Sequence, residues 1–155
     1  TGENEDVCQA AFYGIGLVGD LVAGAFAQPH AESVQFAAAG AQAIGAYFSN
    51  AKAKKAEYTD CTCNVVSSSL KLIDKFGASG AFDATRLFQQ TLVFIPVDGD
   101  VVESQRVHEK LLMWVVHGHA ILNAVPSAKN MIVTALKKAK ASLLNDATRQ
   151  QLAQM

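Results

Sequence analysis

The chain has 155 residues, half of them hydrophobic and 17% charged, with a formal charge of -1. A charged share below the usual ~25%, with no basic excess and no interleaving of basic and aromatic residues, argues against nucleic acid as a partner. The length fits a single domain over 1–155, large enough to bury about two-thirds of its unfolded surface without disulfide or metal staples.

The opening "TGENED" is polar and acidic and starts at Thr1 rather than Met. It lacks the basic start of a signal peptide, so the expectation is either a processed mature chain, secreted or on the cell surface, or a piece of a longer chain. A first helix is expected over 6–26, with Asn4 as candidate cap and Glu5 and Asp6 well placed near its start. It carries Gly14, Gly16, Gly19 and Gly24. Each costs about 0.5–1 kcal/mol relative to alanine in a helix, so close approach of another helix or of a flat ligand must offset them. "QPH" breaks this helix. A second, over 29–50, opens at Pro29 and answers with Gly40, Gly45 and a column of alanines. The two are expected to pack against each other through Gly16, Gly19, Gly40 and Gly45, as small-residue seams do in membranes. Gly14, Gly16 and Gly19 also match the letters G-x-G-x-x-G, but no strand precedes them, as a dinucleotide site requires. Residues 7–27 are long enough for a membrane span, although Asp20 and the many Ala and Gly residues disfavour one.

A third helix is expected from 60 or 64 to 76, with Gly77 as its stop and Ser67, Ser68 and Ser69 on its polar side. Cys61 and Cys63 flank Thr62, too close to bond each other without strain. The expected disulfide joins Cys8 to Cys61 or to Cys63 and leaves one thiol over. A fourth helix starts near 79 or 83 and ends before Pro96.

The fifth is expected over 100–124 and contains "MWVVHGHAIL". On a helix His117 and His119 lie about 200° apart, and His108 lies about 16 Å from His119 along the axis, so no pair of them holds one metal. Neither HExxH nor a Cys/His cluster of zinc spacing occurs, and no metal site is expected. Trp114 should be buried on one face with His117, and His119 should turn toward Val115, Leu112 and His108. The run is apolar nearly all round, which suits a central or subunit-facing helix. A sixth helix, capped by Ser127 and running to 144, sets Ile132, Leu136, Ala139 and Leu143 on one face, with Lys129, Lys137, Lys138 and Lys140 crowded elsewhere. A short last helix starts at Asn145 or Asp146.

The fold class is therefore all-α: a compact antiparallel helical bundle of about five to seven helices with short links. No G-x-S-x-G elbow, nucleophile beside a base or paired carboxylates appear, so no enzyme is expected. The leading functional reading is a binding protein acting through self-association and a protein partner, as a homo-oligomer without a cofactor. Its candidate interface or ligand residues are Gly16, Gly19, Gly40, Gly45, Trp114, His117 and His119. One alternative is a carrier of an apolar ligand, lipid or pigment held between the Gly/Ala-rich helix pair and the helix 100–124. Another is a membrane-active protein that inserts helices 6–26 and 29–50.

Overall fold

Apolar residues spaced three and four apart, abundant alanine and few prolines produce helices and, among the described residues, no strand. The computed structural model describes residues 2–25 and 30–155, with side chains described over 5–21 and 30–155. Eight α-helices are present among them: α1 (Gly2–Ala25), α2 (Ala31–Phe48), α3 (Thr59–Phe76), α4 (Ala84–Leu92), α5 (Val101–His117), α6 (Ile121–Ala124), α7 (Ala128–Lys138) and α8 (Asp146–Ala153). Short 3₁₀ turns at Ala51–Lys54, Ala56–Tyr58 and Ala141–Leu143 join some of them. The expected break at Pro29 and the end of the first helix at Phe26 lie outside the described residues. α1 begins before Asn4, which is therefore inside the helix rather than its cap.

Helix starts follow side-chain capping where the residues allow it. Asp83 accepts from Arg86 N, Asp100 from Glu103 N and Asn145 from Thr148 N, at 2.7–2.9 Å. The expected fifth helix does not reach 124. Gly118 takes φ +71°, and the amides of Gly118 and His119 both bond back to Trp114 O. This left-handed glycine closure ends α5 at His117. The sixth expected helix likewise stops at Lys138 rather than 144.

The centre of the molecule is α3. Every residue from Cys61 to Leu70 is buried, and Ser67, Ser68 and Ser69 are 6%, 1% and 0% exposed. The expectation that these serines form a polar side is thus overturned, because α3 has helices around it and no solvent side over that stretch. Each neighbour is tied to it by polar contact. Thr62 bonds Tyr47 of α2, Ser68 donates to Phe12 O of α1, Ser69 meets Thr91 of α4, and Ser67 donates to Glu103 of α5. The order of contacts fixes the directions. Cys8 meets Cys61 and Asp20 meets Lys71, so α1 runs parallel to α3. Ser67 meets Glu103 and Asp74 meets Lys110, so α5 does too. α2 and α4 return antiparallel: Tyr47 pairs with Thr62 while Gly40 faces Leu72, and Thr91 pairs with Ser69 while Ala84 faces Gly77. Successive helices from α1 to α5 thus alternate in direction, but α1 and α5 lie parallel to the central helix and the described residues form eight helices, so of the expected antiparallel bundle of five to seven only the all-helical class stands.

Candidate functional site

The glycine seam exists, but its partner is α3 more than α2. A Cβ on Gly16 would come within 2.6 Å of Ser68 Oγ, and one on Gly19 within 3.3 Å of Leu72. Gly40 faces both Ile15 of α1 and Leu72 of α3 at 3.1 Å, and Gly45 looks toward Gln90 of α4 at 3.4 Å. Gly16, Gly19 and Gly40 therefore meet protein side chains where a bound ligand was the alternative. No helix among the described residues is long and apolar enough to cross a membrane.

Trp114 is 5% exposed, beside Phe88 at 5.8 Å between ring centroids. His119 does not turn toward His108. Because Gly118 reverses the chain, its imidazole stacks on Trp114 at 4.1 Å, with Nε2 3.5 Å from Asp74 Oδ1 and Nδ1 accepting from Ile121 N. Burial lowers its pKa, against the pull of Asp74. His117 is exposed at the end of α5, so the two histidines do have different surroundings. His108 is fully buried: Nε2 accepts from Val97 N at 3.1 Å, and Nδ1 lies 2.8 Å from Leu143 O. With Nε2 an acceptor, Nδ1 carries the proton and donates. His108 thus pins the segment before α5 and the 3₁₀ turn after α7.

The disulfide is not formed. Cys8 and Cys61 are neighbours, but their sulfurs stand 3.1 Å apart in a thiol hydrogen bond, well beyond the ~2.05 Å of a covalent link. Cys63 pairs instead with Ser104 Oγ at 3.4 Å. Burial pushes the Cys61 thiol up to about 12 and that of Cys63 up to about 11. Both remain protonated and unreactive near neutral pH. No cluster of three His, Cys, Asp or Glu side chains arranged for a metal occurs among the described residues.

The surface that stands out is the outer face of α1. Val7, Leu17, Val18 and Leu21 are 69%, 45%, 39% and 64% exposed, and Ala10 and Ala11 are exposed between them. Gly14 sits in the middle of this stripe, and nothing lies within 4 Å of where its Cβ would be. The opposite face, through Phe12, Gly16 and Gly19, is buried on α3. Both faces of α1 are therefore largely apolar, while only one of them is buried on α3. Beside the stripe, α1, α3 and α5 enclose an open groove lined by Asp6, Tyr13, Asn64, Asp100, Glu103 and Arg106. No protein-family model, curated protein or solved structure matches this chain.

Proposed function

We propose that the protein is a self-associating helical module, that α1 is its contact surface, and that the occupant is a second copy of the chain. The observation that carries this reading is the symmetry of the exposed stripe about Gly14. Residues 7, 10/11, 14, 17/18 and 21 repeat at the heptad spacing of a helix–helix seam. If two α1 helices cross antiparallel at Gly14, Val7 of one faces Leu21 of the other, Ala10 faces Val18 and Ala11 faces Leu17. The alanines then meet larger residues, Val7 and Leu21 close the two ends, and the two glycines permit close approach at the centre. The same patch serves both copies, as a twofold contact requires. One helix pair is small for a stable interface, so the dimer dissociates on dilution.

Sedimentation across a concentration series tests this. The wild type should rise from 16.4 kDa toward twice that mass. Gly14→Leu places its side chain in open space in the monomer but obstructs the crossing, so it should fold normally and stay monomeric. Leu17→Glu with Leu21→Glu should do the same. A wild type that stays monomeric at every concentration, or a Gly14→Leu protein that dimerises as well as the wild type, rejects the proposal.

A further inference from the structure

We infer that the groove between α1, α3 and the start of α5 is a binding site for an alkylammonium or guanidinium group, with Asn64 as its buried hydrogen-bonding residue. The groove has a volume of about 460 Å³. Asn64 lines it at 7% exposure, and its side-chain amide bonds no described residue. Its amide is not among the enclosed side-chain atoms left without a partner, so it reaches the open groove, where a ligand can meet it.

The charge of the lining selects the ligand. Glu103 accepts from Ser67 Oγ and pairs with Arg106 at 3.3 Å, so this couple is internally neutral. Asp100 caps α5, and Asp6 pairs with no cation among the described residues. Two carboxylates therefore remain. Against them stand the starts of α1 and α5, each equivalent to roughly half a positive charge. The balance stays negative and excludes an anion. An ammonium brings three N–H donors and no acceptor, which suits Asn64 Oδ1 and the carboxylates. The half-exposed Tyr13 ring offers a face for the same cation. A free polyamine and the lysine or arginine side chain of a protein share this chemistry.

The test is a nuclear magnetic resonance titration of the full chain with spermidine, with Nα-acetyl-lysine amide, and with sodium acetate at matched ionic strength. Both amines should shift the Asn64 side-chain amide and the Tyr13 ring saturably, and acetate should not. Asn64→Ala should weaken the amines about tenfold or more, the loss of one hydrogen bond to a charged group. Asp6→Asn, on the exposed rim, should weaken them severalfold with the fold intact. Tighter spermidine binding points to a free polyamine, and lysine amide binding as tightly points to a protein side chain. The proposal fails if the amines act no differently from salt, or if both variants bind like the wild type. It also fails if the shifts map to Leu17 and Leu21 instead. The Leu17→Glu, Leu21→Glu monomer should still bind amine, so failure of the groove and failure of the dimer are read separately.

Discussion

His108 sets a pH dependence through the two hydrogen bonds that hold it. Its Nε2 must stay unprotonated to accept from Val97 N, and burial lowers its pKa from 6.5. His119, also lowered by burial, acts in the same direction. Above 6.5 both rings are neutral in the folded and unfolded chains, and stability is unaffected by pH through them. As pH falls through 6.5 the unfolded chain takes up protons that the folded one refuses, so stability declines. Urea midpoints should fall over that range, and His108→Gln should flatten the fall while lowering the midpoint throughout. A midpoint independent of pH in the wild type contradicts the assignment. Thr148 shows the opposite case: its Oγ1 is buried without a partner among the described residues. An unmade buried hydrogen bond costs about 1–3 kcal/mol, so Thr148→Val should melt at or above the wild-type temperature. A clear drop would mean that the hydroxyl is satisfied. Neither role could be read from the sequence: that of His108 needs Leu143, thirty-five positions away, and that of Thr148 depends on what the fold leaves around its hydroxyl. The cysteines illustrate the same limit. Spacing put Cys8 beside Cys61 or Cys63 without choosing between them, and the disulfide it suggested is absent: the neighbour is Cys61, about an ångström beyond bonding distance.

At the scale of elements, α1 is where the sequence was most informative and also incomplete. Four glycines in one helix announced a close approach, and the approach is there, but composition names no partner. Alanines in α2 made that helix the natural choice, while the serines of α3, equally small, pack closer. Gly14 and Gly16 separate the two faces experimentally. A methyl group on Gly16 meets Ser68 Oγ, which is itself held 2.6 Å from Phe12 O. Gly16→Ala should therefore destabilise despite alanine's better helix propensity. Gly14→Ala meets nothing and should gain up to about 1 kcal/mol from propensity. Thermal melts at a concentration where the chain is monomeric compare the two, and equal shifts in one direction would refute the assignment of faces. The end of α5 carries a related lesson. Gly118 was visible between the two histidines, yet an apolar run on both sides of it read as continuous helix. The left-handed turn that stops α5 there places His119 on Trp114, an arrangement no straight helical projection contains.

Across the whole molecule, the parallel course of α1, α3 and α5 brings three helix starts to one end. Asp6, Asp60, Asp100 and Glu103 lie in or near those starts, and Lys71, Lys75 and Lys110 lie toward the opposite end. Asp20 and Asp74 also lie toward that opposite end, paired with Lys71 and Lys110, so carboxylates gather at the helix starts that the dipoles favour without being confined to them. The all-helical class followed from periodicity, but the identity of the central helix did not. Periodicity assumes one apolar face, and α3 has neighbours on every side from Cys61 to Leu70. Its hydroxyls take the place of apolar side chains by bonding each neighbour in turn, so a buried helix passed for a half-polar one. These bonds are unequal, which yields a graded prediction. Ser69 meets Thr91, whose hydroxyl also bonds Leu87 O, so Ser69→Ala leaves Thr91 a partner and should cost about 1 kcal/mol. Ser67 donates to the carboxylate of Glu103, which is 6% exposed and, among the described residues, keeps Arg106 as its side-chain donor when the serine is removed. Hydrogen bonds to charged groups are worth about 1.5–3 kcal/mol, so Ser67→Ala should cost more than Ser69→Ala. In a Glu103→Leu background the Ser67→Ala penalty should shrink, because the charge it served is gone. Equal penalties for the two serines, or a Ser67→Ala cost unchanged by Glu103→Leu, would show that α3 is held by packing alone and not by these polar links.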